Sequence, residues 1–254
     1  MAIDKSWEKI FKDYKIHEHN FDKEPFYITA TQIKRACQDF KETGEKEARI
    51  LCKQDQREDR PKVFIENNLF LLPVVNKKYV IIKGEGYVDI PEVKKSQKVY
   101  TSKLKFHLDT SLIGNSEMQH LDFAYASSLI RTFMKDNSLV LTIRGRKYTP
   151  KFSFNVGKHT IEVRSVQTEV DAGFEGEKQV VLIEAKNSNA RNTIIRQLYY
   201  PFKQWQAHTG KKVVTLFFEK TGDGYSIWHF RFKDIEDYNS IELVRAGKFV
   251  IKSL

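Results

Sequence analysis

The chain has 254 residues, 41% of them hydrophobic and 30% charged, and 43 Lys and Arg against 33 Asp and Glu give it a formal net charge of +10. That composition excludes wholesale disorder, and no run approaches the roughly 20 apolar residues of a membrane span. The first residues lack the apolar core of a signal peptide, and two cysteines, Cys37 and Cys52, indicate neither a disulfide framework nor a zinc site, so a soluble, cytoplasmic protein with a polyanionic partner is the expectation.

In chain order, residues 29–40 read as a helix ending near Gly44, and residues 60–67 as a second with Pro61 in its first turn. Two short strands follow, 69–74 and 79–82, around Asn76-Lys77-Lys78. Helices before a basic hairpin suggest a winged-helix-like DNA-binding module with Arg57, Arg60, Lys62, Lys77 and Lys78 as its contacts. The plainer alternative is a structural extension packed on the rest of the chain. A polar, charged stretch after Pro91 divides the sequence into an N-terminal DNA-recognition region, 1–98, and a second domain, 99–254.

Within the second domain, apolar positions 118, 121, 125, 129 and 133 predict one helix over 115–134, capped by Asn115 or Ser116. Residues 139–148 read as a strand ending in a basic, glycine-containing turn, where Arg144, Arg146 and Lys147 could meet phosphate or guanine. Alternation over 161–170 predicts a half-buried strand delivering Asp171 at its end, with Gly173 and Gly176 supplying the turn. Residues 180–183 are all apolar, as in a central strand covered on both faces, and Glu184 and Lys186 must project together from its end. A hairpin would set Asp171 beside Glu184, two hard oxygen ligands suited to Mg²⁺, with Lys186 in reach of a bound water. The plain alternative for Glu184 and Lys186 is a surface ion pair worth about 0–1 kcal/mol. A polar loop, a helix-like stretch over 193–205 and a buried strand over 211–219 complete a parallel crossover. The fold class expected is α/β (α+β), a mixed central sheet flanked by helices.

Asp171, Glu184 and Lys186 resemble the catalytic core of the PD-(D/E)xK nuclease superfamily, matching its first acid, second acid and lysine. Val170 stands where that family has a leading proline, and Glu169 or Glu175 remain alternatives for the first acid. Many members place a further Glu on a helix facing the metal, and Glu117 is the candidate here; the helix dipole alone also favours an acid in a first turn. Residues 46–53, 83–87, 119–122 and 197–201 add to a resemblance to bacterial type II restriction endonucleases over about residues 45 to 205.

The resemblance implies a restriction-endonuclease-like core. It also implies Mg²⁺ held by Asp171 and Glu184, Lys186 orienting or helping to deprotonate the attacking water, and products with 5′-phosphates. A C₂ homodimer on double-stranded DNA and a cognate DNA methyltransferase come with that class. Base readout is expected from Asn187, Asn189, Arg191 and Asn192, and from Gln119 and Arg144. The alternatives are a structure-specific repair or recombination nuclease, an RNA-processing nuclease, and a non-catalytic DNA-binding regulator.

Overall fold

In the computed structural model, which describes residues 2–94, 96–187 and 189–252, helix α1 (Ala2–Asp13) packs Trp7 and Ile10, three apart on one face, into an N-terminal core. Lys95 of the expected boundary and Ser188 of the expected readout loop lie outside the described residues. Strand β1 (Phe26–Thr29) runs directly into α2 (Ala30–Ala36). Thr29 caps that helix: its hydroxyl accepts from Gln32 N at 3.2 Å, and the Gln32 side chain accepts from Thr29 N at 2.8 Å. The helix expected over 29–40 therefore starts one residue later and stops at Ala36. Short helices α3 (Thr43–Lys46), α4 (Ala48–Leu51) and α5 (Lys62–Glu66) follow.

Strands β2 (Leu69–Val75) and β3 (Lys78–Lys83) form the expected hairpin, turning at Lys77 with φ 64°, and β1 joins them in the order β1-β3-β2. Alternate residues of β2 serve different cores. Leu69 and Leu71 face the N-terminal core with Trp7 and Phe64, while Phe70, Leu72 and Val74 face a core built mainly from the rest of the chain.

The remaining strands are β4 (Tyr87–Asp89), β5 (Lys98–Thr101), β6 (Val140–Tyr148), β7 (Phe152–Val156), β8 (His159–Val163), β9 (Gln167–Glu175), β10 (Gln179–Lys186), β11 (Asn192–Ile194), β12 (Lys212–Thr221), β13 (Gly224–Phe232) and β14 (Ile241–Lys252). Helices α6 (Glu117–Ala126) and α7 (Leu129–Met134) precede β6, and α8 (Arg196–Gln206) lies between β11 and β12. Seven strands form the central sheet in the order β5-β14-β13-β12-β10-β9-β6. It is mixed: β10 with β12 and β14 with β5 are parallel, the other neighbours antiparallel.

The apolar run of β10 is buried on both faces, as its composition requires. Val180 and Leu182 share one core with Leu198, Tyr199 and Phe202 of α8, while Val181, Ile183 and Ala185 share another with Leu121 of α6 and Ile130 of α7. The chain is thus a mixed α+β protein whose sheet carries helices on both sides, and β10, α8 and β12 make the expected crossover.

Four local expectations are corrected. The strand expected over 161–170 is two strands, β8 and β9, because Ser165 is left-handed at φ 50° and the chain between them is held by Arg164 N to Val74 O (3.0 Å) and Ser165 N to Thr149 O (3.0 Å). Gly173 lies inside β9 rather than in the turn: a Cβ there would meet Ile143 Cβ at 2.6 Å, so the bare backbone admits the neighbouring side chain, and the turn falls after Glu175. The helix expected over 115–134 is broken by left-handed Ser128 (φ 65°) into α6 and α7. Arg144, Arg146 and Lys147 lie within β6, not in a turn, with Gly145 (φ 75°) at an irregularity in its pairing to β9.

Candidate active site

The ladder between β9 and β10 registers Ala172 opposite Ile183 and runs no further towards Asp171. At the next position the Asp171 side chain takes over: its Oδ2 accepts from Ala185 N at 2.7 Å. Two positions along β10 from Glu184, on the same face, Lys186 Nζ donates to Glu184 Oε1 at 2.6 Å. Helix α6 arrives from the other side of the chain, capped by Ser116, whose hydroxyl accepts from Gln119 N at 3.2 Å. Its first residue, Glu117, accepts from Asn187 N at 3.2 Å, just beyond Lys186. Asp171, Glu184, Lys186 and Glu117 line one cleft of ≈ 610 Å³.

Burial sets the electrostatics. The Glu184 side chain is only 10% exposed, and desolvation, with the Asp171 charge adding, pushes its carboxyl up to about 7 despite the lysine beside it. Asp171 is raised chiefly by burial, and the Glu117 charge works the same way. Burial pulls Lys186 down, but Glu184, Glu117 and Asp171 outweigh it and leave the ammonium above its ordinary value. The lysine is thus held charged while one carboxyl is poised to exchange its proton near neutrality.

Among the described residues no group of three or more His, Cys, Asp and Glu forms a ready-made metal cage. The donor chemistry nevertheless suits a hard divalent cation: Asp171 and Glu184 are oxygen donors, the Asp171 charge raises the Glu184 carboxyl, and a cation beside them would offset that repulsion. The Glu117 charge acts on both Asp171 and Lys186, which makes it the candidate further carboxylate.

The residues expected to contact DNA divide sharply. Arg146 pairs with Glu169 at 3.2 Å and Arg144 with Asp122 on strand and helix surfaces, and Lys147 is exposed. Exposed too are Asn189, Arg191 and Lys62. Asn187 donates to Asn115 O at 2.7 Å, and Gln119 to Thr110 O at 3.1 Å and to Ile113 O. Arg57 pairs with Asp89 at 2.8 Å and Glu85 at 3.4 Å. Two side chains are spent inside the protein. Arg60, 7% exposed, donates to Leu69 O (3.2 Å) and Arg57 O (3.1 Å). Asn192, 1% exposed, accepts from Arg57 N at 2.7 Å and donates to Glu58.

Sequence reasoning missed Asp55, Lys53, Gln167, Arg196 and Gln197, which line the same cleft. Asp55 and Arg196 approach to 3.5 Å, and the Asp55 charge adds to the rise of Glu184. For Arg196 and Gln197 a signal existed, since the helix following a strand in a parallel crossover begins beside that strand's carboxyl end. Asp55 sits in no motif, and nothing local marks it.

In this mixed α+β fold, Glu184 and Lys186 at the end of β10 thus meet Asp171 from the middle of β9 and Glu117 from the start of α6 in one cleft. The chain belongs to the family described as Domain of unknown function (DUF6997), whose model matches residues 82–250. A second model, Domain of unknown function (DUF6996), matches residues 4–81. No curated protein matches the chain, and no solved structure does.

Proposed function

We propose that this protein is a Mg²⁺-dependent DNA endonuclease with a restriction-endonuclease-like core, acting as a homodimeric type II restriction enzyme alongside a cognate methyltransferase. The observation that carries the reading is the convergence of Asp171, Glu184 and Lys186, with Glu117, in one polar cleft. An incidental surface ion pair does not account for it, because Glu184 is nearly buried, sits among further carboxylates and lines a cavity large enough for substrate.

Asp171 and Glu184 would hold the ion, with Glu117 as a third donor. Bound there, Mg²⁺ would stabilise the charge that develops on the phosphate and on the leaving 3′-oxygen. Ala185 N holds Oδ2 of Asp171, which restricts the carboxylate that would bind the ion. Lys186, charged and anchored to Glu184, would orient the attacking water and offset negative charge rather than accept the proton. Attack in line leaves a 5′-phosphate.

The N-terminal region contributes Lys77 and Lys78 at the tip of the β2–β3 hairpin, a placement compatible with a winged-helix-like approach to the DNA backbone. Arg60 has no part in it, being buried. The reading is tested by incubating the protein with phage DNA and Mg²⁺ beside Lys186→Ala and EDTA controls. Discrete fragments absent from both controls support it. Intact DNA throughout overturns it, and cutting confined to junctions or mismatches transfers the site to a structure-specific nuclease.

A further inference from the structure

The active-site cleft continues into a second cavity of ≈ 260 Å³, and Lys53, Asp55, Gln167 and Arg196 line both. The second cavity has apolar and aromatic walls from Leu71, Pro73, Val75, Tyr79 and Ile194, and a basic rim from Arg49 and Lys77, for which no side-chain partner is present among the described residues. Gln54 lines it as well. Its carbonyl accepts from Tyr87 Oη at 3.1 Å, which fixes the main chain, yet neither Oε1 nor Nε2 of its amide has a hydrogen-bond partner among the described residues, and the residue is 2% exposed.

An unsatisfied buried amide is costly and rare; both polar atoms of Gln54 are shielded at the cavity wall, and a turn of the side chain towards the cavity would give them a partner from outside. A primary amide presents a donor beside an acceptor, the complement of an adenine edge. The cavity lies just under the roughly 300–1,000 Å³ of sites for drug-sized ligands, which suits one planar ring and not a length of chain. Apolar walls with a tyrosine favour a base face, and cations at the rim favour the flanking phosphates.

We propose that this cavity receives a single DNA base turned out of its stack, read by the Gln54 amide as its side chain turns towards the base, while Arg49, Lys53, Lys77 and Arg196 hold the strand that leads from it to the catalytic carboxylates. The proposal rests on the nuclease reading and adds a specificity site to it. The N-terminal segment is then part of the substrate site, since Arg49, Lys53, Gln54 and Lys77 all precede residue 82.

Extrusion of a base is read by 2-aminopurine, which brightens when unstacked. Wild-type protein in EDTA is bound to duplexes carrying the probe at each position in turn. The expected result is a rise confined to one position of the footprint. Replacing the base there should weaken wild-type binding about tenfold, and Gln54→Leu should abolish that discrimination. Arg49→Ala and Lys77→Ala should weaken every sequence alike. DNA bound in EDTA with no brightening at any position, and cut once Mg²⁺ is restored, overturns the base pocket and leaves the nuclease standing, as does discrimination that survives Gln54→Leu. Failure of the wild-type protein to bind DNA overturns both.

Discussion

The carboxylate of Asp171 occupies the place of a missing strand carbonyl: its Oδ2 takes the Ala185 N–H at 2.7 Å where the β9–β10 ladder has stopped. Position and charge of this acid are therefore separable. Asp171→Asn can still accept that bond, so its urea midpoint should stay near wild type while DNA cleavage is lost. Asp171→Ala orphans the amide and should lower stability by about 1–3 kcal/mol in the same titration. Equal destabilisation by both substitutions would show that the charge, and not the acceptor, holds the strand end.

Glu184 gives the site a pH signature. Its carboxyl lies at about 7 in the folded protein against an ordinary 4.5, so between those values the folded state holds a proton that the unfolded chain has released. This group's contribution to stability accordingly falls as pH rises through that window. A divalent cation competes with the same proton. The rise in Tm on adding Mg²⁺ should be small near about pH 6 and grow towards about pH 8, and Glu184→Gln should flatten the trend. A Mg²⁺ effect independent of pH would remove Glu184 from the ligand set.

Glu117 stands in the first turn of α6, where the helix dipole favours an acid whatever its role. Glu117→Gln keeps an acceptor for Asn187 N and should cost about 0.3–1 kcal/mol. Cleavage should nevertheless fall about 10- to 100-fold, the range found when groups supporting a metal are lost. A variant that cuts DNA at the wild-type rate would reduce Glu117 to a helix-start residue.

Asn192 and Arg191 are neighbours with opposite predicted behaviour. Asn192→Ala leaves Arg57 N without its acceptor inside the protein and should cost about 1–3 kcal/mol in denaturant unfolding. Arg191→Ala, at an exposed position, should change stability by less than about 0.5 kcal/mol. It should also lower the slope of DNA affinity against salt by about one phosphate contact. Reversed results would exchange their structural and DNA-binding roles.

The cluster at the end of β10 was legible because its signals are local: an apolar run too complete for an edge strand, then Glu184 and Lys186 on one face, then a crossover that the hydrophobic pattern encodes. What escaped depends on distant partners. The break at Ser165 is fixed by Val74 and Thr149, and Gly173 stays in its strand because Ile143 lies over it. Arg60 and Asn192 look like surface recognition residues in sequence, and only tertiary contacts with Leu69, Arg57 and Glu58 take them inside. Asp55 reaches the cleft from a loop with no pattern of its own.

The two matched segments meet between residues 81 and 82, inside β3, and β2 beside it feeds one core with Leu69 and Leu71 and another with Phe70 and Leu72. Phe70 stacks on Tyr238, ring centroids 6.0 Å apart, and fills the space that a side chain at position 86 would need. Recombination at that junction would hand each descendant half a strand and mismatched halves of a shared interior. The two segments complete one another's interior, so a side chain added at position 86 would be accommodated only with a smaller residue in place of Phe70.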